Sequence, residues 1–90
     1  MWLLKYSNRF KKDLKFYQHN QAVLRELEEV LNILVKGAKL PLKNVNHHLV
    51  GEFQNCFACH IRPDVVLIYR IEKSTITILL LRIGSHAKLF

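Results

Sequence analysis

The stretch Cys56-Phe57-Ala58-Cys59-His60-Ile61-Arg62-Pro63-Asp64-Val65-Val66-Leu67-Ile68-Tyr69-Arg70-Ile71 reads as two short strands around a turn. Residues 56–61 and 65–71 are runs of apolar, β-branched and aromatic residues, and Arg62-Pro63-Asp64 separates them. A third such run, residues 75–83, follows Glu72-Lys73-Ser74, so the three should pair as an antiparallel meander. Within the first run, alternation puts Cys56, Ala58 and His60 on one face and Phe57, Cys59 and Ile61 on the other. The bulky set suits a core, and the small set should leave a concave space beside His60.

Upstream of this block the period changes from strand to helix. Lys39-Leu40-Pro41-Leu42-Lys43-Asn44 reads as a loop, because Pro41 lacks a donor and restricts the residue before it. From Gln21 to Lys36, Leu24, Leu27, Leu31 and Leu34 recur at helical spacing, with Arg25, Glu26, Glu28 and Glu29 between them and Gly37 placed to cap the C-terminus. Residues 8–19 carry Phe10, Leu14 and Tyr17 at i, i+4 and i+7 with lysines between, which predicts a first helix capped by Ser7 and broken at Asn20. Residues 2–6 read as an opening strand. The sum is an α+β class: opening strand, two helices, then an antiparallel strand meander with the helices packed on one sheet face.

Ninety residues leave room for one domain, residues 1–90, with a modest core. Half the residues are hydrophobic and only 3 are Gly and 2 Pro, which excludes a disordered tail. The formal net charge is +7. Lys5, Arg9, Lys11, Lys12 and Lys15 stand against Asp13 alone near the start of the chain. Such an excess suits a polyanion or an acidic protein. The face carrying Arg9, Lys11, Lys12 and Lys15 is therefore a candidate RNA-binding surface. Met1-Trp2-Leu3-Leu4 is too short and too soon charged for a signal peptide, and no apolar run approaches the ~18 residues of a membrane span. These features predict a cytoplasmic protein with no membrane partner.

Cys56-Phe57-Ala58-Cys59-His60 matches the haem-attachment and redox CxxC patterns, but both need the sulfurs side by side. On a strand, cysteines three residues apart point to opposite faces and can share neither a disulfide nor a metal. His47, His48, His60, Cys59 and His86 fit no zinc-ligand spacing. What the second half does assemble is three imidazoles (His47, His60, His86), a carboxylate (Asp64) and a guanidinium (Arg82), the last four at the ends of apolar runs. That is the set phosphodiester cleavage needs without a metal: groups to take and give a proton, and a fixed cation for the added charge. On this reading Arg82 stabilises charge; the sequence leaves open which imidazole is base and which is acid, His86 being favoured as the acid, with Asp64 and the other two histidines as base and orienters.

These residues resemble the RelE superfamily of toxins and, within it, the YafQ-type endoribonucleases of type II toxin–antitoxin systems. The likeness covers nearly the whole chain and is carried by Leu40-Pro41-Leu42, by His47 with Leu49 and Gly51, by His60 with Pro63-Asp64, by Leu67-Ile68-Tyr69, and by Arg82 with Gly84-Ser85-His86 and Leu89-Phe90. The resemblance implies a RelE-like fold and an active site at His47, His60, Asp64, Arg82 and His86, with Phe90 helping to place the RNA. It also implies ribosome-dependent cleavage of mRNA, no metal or other cofactor, and a cognate antitoxin as partner. Phe57-Ala58, His48 and Val65 depart from the family pattern at positions that bear on substrate contacts. Two other readings stand beside it: a non-catalytic toxin of the same fold that acts by binding alone, and a nucleic-acid-binding module whose histidines are incidental. The joint presence of the five candidate catalytic residues favours the nuclease.

Overall fold

The computed structural model describes residues 1–49, 51 and 55–90. Its elements are β1 (Leu3–Tyr6), α1 (Asn8–Lys15), α2 (Gln21–Val35), β2 (His47–His48), β3 (Cys56–Arg62), β4 (Val65–Glu72), β5 (Thr77–Gly84) and α3 (His86–Leu89), with short 3-10 turns at Leu42–Asn44 and Lys73–Thr75. They form a five-stranded sheet in the order β1-β5-β4-β3-β2. The expected meander is present as β3, β4 and β5, paired antiparallel. The opening strand joins the far side of β5 and runs parallel to it.

Both helices cover one sheet face, α1 lying on β5 and α2 against β3. The main core holds Phe10 and Tyr17, Val23, Leu27, Val30 and Leu34 of α2, and the inward residues Cys59, Ile61, Leu67, Tyr69, Leu80 and Ile83 of the sheet. The stripe of α2 is rotated from the one expected. Val23 and Val30 are buried, whereas Leu24 and Leu31 lie at its margin, because the face that meets β3 is centred on 23, 27, 30 and 34. Gly37 closes the helix at φ 71°, where Trp2 Nε1 lies 3.3 Å from the position a Cβ would take. That combination of left-handed backbone and close ring admits only glycine comfortably.

One expected boundary needs correction, and two segments carry structure that the pattern did not specify. The first helix ends at Lys15, not at residue 19; residues 16–19 are turns, and Phe16, which follows the last helical residue, is 78% exposed. The loop after α2 contains a 3-10 turn and leads into a two-residue strand at His47–His48. The tail beyond Gly84 is a short helix capped by Ser85, which accepts from the Lys88 N–H through its side chain. No helix among the described residues is long and apolar enough to cross a membrane.

Candidate active site

The second sheet face is covered far more lightly than the first. Its apolar floor is Cys56, Ala58, Val66 and Ile68, with Leu49 and Leu81 at the side and Leu89 of α3 packed over it. Leu89 packs close over Gly84, its Cδ2 lying 3.4 Å from the position a Cβ would take there. The small residues therefore do not leave the open concavity expected of them, since Leu89 fills it. A cleft of about 510 Å³ instead adjoins His60 and Arg62 at the outer edge of β3, walled by Glu26 and Val30 of α2 and by Asn44 and Val45.

Register sets which candidate residues share the open face. His47 pairs with Ala58, Ala58 with Ile68, and Ile68 with Arg82, so these four form one row across the sheet. His60, Val66 and Gly84 form the next row, and His86 follows two residues beyond. His47 and His60 are then diagonal neighbours on one face, roughly 7–8 Å apart at the backbone. His48 pairs with Phe57 and its ring packs 5.0 Å from it, on the helix-covered face, which separates it from His47.

The sheet carries two irregularities beside these rows. On β3 the register shifts between His60 and Arg62, making Ile61 an extra residue; Ile61 keeps the core face that alternation gives it, and Arg62 beyond the shift binds Glu26 of α2 at 3.0 Å. On β5 Leu81 is the extra residue between Leu80, opposite Tyr69, and Arg82, opposite Ile68. Strict alternation from Ile78 and Leu80 would have driven Arg82 into the core. The bulge turns Arg82 outward and puts Ile83 inside, the re-aiming that bulges commonly provide beside functional sites.

Arg82 then reaches the edge of β5 and meets Asp13 of α1. Its Nε donates to Asp13 Oδ2 at 2.7 Å and its Nη2 to Oδ1 at 3.1 Å, and the Ile83 N–H donates to Oδ2 at 3.2 Å. Burial alone would raise the Asp13 pKa. The hydrogen bonds from Arg82 and Ile83, with the charges of Arg82 and Lys88, outweigh it and hold the carboxyl below its ordinary range. The bond to Asp13 raises the Arg82 pKa in turn. Ser7 secures the same junction, donating its hydroxyl to the Leu81 carbonyl at 2.8 Å while capping α1 through the Phe10 N–H.

The other candidates divide between the two sides. His86 is exposed on α3 with its ring 4.8 Å from that of Phe90, which is itself 51% exposed. Asp64 is exposed in the two-residue turn between β3 and β4, close enough to Tyr17 to help raise the phenol's pKa after burial, the larger cause. Arg9, Lys11, Lys12 and Lys15 are all exposed on α1, with Lys88 of α3 standing 5.5 Å over the Phe16 ring just beyond the helix. His47 is exposed, its Nδ1 3.0 Å from the Val45 carbonyl.

Sequence reasoning passed over three side chains that build this site. Asp13 occupied a position counted only as charge. Asn44, buried, donates to the His60 carbonyl at 2.7 Å and closes the edge of β3 where β2 has ended. Asn46 accepts from the buried Tyr69 hydroxyl at 2.7 Å, tying the residue before His47 to the sheet. The one available signal was composition: Asn44 and Asn46 are amides set close around the β-branched Val45, a common way of satisfying a loop's backbone. Cys56 and Cys59 fall on opposite faces of β3, as the alternation predicts, and are not bonded to each other. Among the described residues no three His, Cys, Asp or Glu side chains converge to hold a metal ion.

Residues 3–90 match the family described as bacterial toxin of type II toxin–antitoxin system, YafQ. The chain is 30% identical to the mRNA interferase toxin YafQ of Escherichia coli K12, over 97% of this chain and 94% of that one. A metal-bound toxin from Helicobacter pylori superposes with a TM-score of 0.92 at 37% identity, all of both chains being covered. The E. coli DinJ–YafQ toxin–antitoxin complex supplies another neighbour, with a TM-score of 0.86 at 28% identity over 99% of this chain and 97% of that one.

Proposed function

Because this chain belongs to the YafQ toxin family of type II toxin–antitoxin systems, we propose that it is an mRNA interferase, an endoribonuclease that cuts messenger RNA on the ribosome without a metal. A cognate antitoxin silences it in the resting cell, as the DinJ–YafQ complex of its relative suggests. The observation that carries the reading is the register. Plain alternation along β3 and the Leu81 bulge of β5 put His60 and Arg82 on the same open face as His47, at the strand end from which the chain continues to His86.

The chemistry uses groups of this chain alone. The His47 and His60 pair supplies the base that takes the proton from the substrate 2'-hydroxyl, with Asp64 orienting an imidazole. The freed oxygen attacks the adjacent phosphorus, and N–H donors of Arg82 hold the added negative charge. The bond from phosphorus to the 5'-oxygen breaks and His86 protonates that oxygen, leaving a 2',3'-cyclic phosphate and a 5'-hydroxyl. Phe90, beside His86, stacks on a base, and Arg9, Lys11, Lys12 and Lys15 bind phosphates of mRNA or rRNA.

Primer extension on a reporter mRNA tests this, with purified toxin added to programmed ribosomes and to naked message. Toxin stripped with a chelator and desalted beforehand should still cut, and should cut only the ribosome-bound message. A folded toxin that stops translation without producing cut ends would favour action by binding alone. Loss of cutting on stripping, restored by a divalent ion, would overturn the metal-free mechanism.

A further inference from the structure

Asp13 is the sole acid among the first 25 residues, and it sits where a core residue belongs. With Phe10 it makes the buried face of α1, and its side chain is only 7% exposed. Taking an ion pair out of water is costly, and well-packed apolar residues often serve stability as well or better. Stability is therefore a poor reason for a carboxylate at this position. Its geometry suggests a better one.

The carboxylate grips Arg82 side-on, through Nε and Nη2, which fixes the plane of the guanidinium as a single contact would not. The same Oδ2 accepts from the backbone N–H of Ile83, the residue next along β5. Guanidinium, carboxylate and strand are thereby indexed to one another, at the point where the Leu81 bulge has turned Arg82 outward. Two of the five guanidinium N–H donors are spent on Asp13, leaving three for another acceptor.

We infer that Asp13 is a positioning residue for the cleavage reaction, holding Arg82 so that its remaining N–H donors meet the scissile phosphate. The inference rests on the nuclease reading above, and extends it to a residue on a different element 69 positions away from the arginine. It also accounts for the choice of arginine at residue 82. A lysine could pair with Asp13 or with a phosphate as a point charge, but could not grip one side-on while presenting a fixed edge to the other.

The test is single-turnover cleavage of ribosome-bound mRNA by the full chain, at toxin concentrations that separate the maximal rate from the half-saturating concentration. Asp13→Asn should lower the maximal rate by about 10²-fold, the cost of small misplacements at a reacting centre, with little change in half-saturation. Asp13→Ser, which keeps an acceptor toward the Ile83 N–H, should do the same and serves if the asparagine variant does not fold. Arg82→Lys should be as poor as Arg82→Ala, and adding Asp13→Asn to Arg82→Ala should cost nothing more. Folded Asp13 variants that cut at the parental rate beside an inactive Arg82→Ala would make Asp13 merely structural and overturn the inference. An Arg82→Ala protein as fast as its parent would overturn it too, and would locate the failure in the role given to Arg82 itself.

Discussion

His47 Nδ1 lies 3.0 Å from the carbonyl oxygen of Val45. A carbonyl can only accept, so Nδ1 carries the proton and Nε2 of the neutral ring is left with the lone pair. The carbonyl belongs to a β-branched residue held at φ 45°, a left-handed conformation that costs such a side chain on the order of 1–3 kcal/mol. Strain of this kind, next to an exposed imidazole, suits a group whose tautomer matters. Long-range proton–nitrogen correlation spectra of the neutral ring should accordingly show His47 protonated at Nδ1 and bare at Nε2. The opposite tautomer would remove His47 as a base that acts through Nε2.

His86 stands on the exposed surface of α3 with its ring beside that of the exposed Phe90, and neither belongs to the buried core. His86→Ala should therefore remain folded while losing about 10²- to 10⁴-fold in cleavage rate, the usual contribution of a general acid or base. Growth inhibition on induced expression, with circular dichroism of the purified variant, measures both. An equally toxic, folded variant would end the assignment of His86 as the acid.

Asp13 predicts how stability depends on pH. Its folded-state pKa lies below the ordinary 3.8, so the stabilisation it contributes is fully present above that value and lost as pH falls through the lower one. Denaturant unfolding of the parent and of Asp13→Asn should show a stability gap in the parent's favour that is constant from neutral pH to about 5 and closes under stronger acid. A gap unchanged down to the acid transition would mean that charge on Asp13 contributes nothing.

The cysteines should be inert in the native protein. Cys59 is fully buried and burial pushes its thiol up to about 12, while Cys56, also buried, is raised in the same direction. Neither supplies appreciable thiolate at neutral pH, so a maleimide should label the folded chain slowly and the denatured chain at once. Rapid native labelling would show that β3 opens readily.

Replacing Lys11, Lys12 and Lys15 by glutamine should weaken ribosome binding and flatten its dependence on salt, by roughly one unit of slope for each phosphate no longer neutralised. All three are exposed on α1. Titration at several salt concentrations decides it, and parental affinity with a parental slope would leave this surface merely solvated.

Much of the architecture was legible in local pattern. The helical spacing of residues 21–36 and the apolar runs of 56–61, 65–71 and 75–83 reflect a requirement each segment carries in itself, one face for the core and one for water. The pattern overran where an apolar residue did not mean burial, as at Phe16, which follows α1 yet stays outside the core. It fell short at the tail, whose single helical turn is too brief to show a period. It mistook the floor near His60 for a hollow, because Leu89, 29 residues later in the chain, packs onto it.

The five candidate catalytic residues were likewise visible as a set, since their chemistry resides in the side chains. Their arrangement was not. Nothing local distinguishes His47 from His48; pairing with Ala58 and Phe57 of β3 sends them to opposite faces. Nor does the run Leu79-Leu80-Leu81-Arg82-Ile83 reveal that Leu81 is the extra residue, which only the register with β4 shows. Local pattern thus carries the periods of the helices and strands and the chemical groups available to them. Tertiary structure decided which way Arg82 points and which carboxylate holds it, because strand register and an ion pair with Asp13 are set by packing between segments that the chain's own local preferences never bring together.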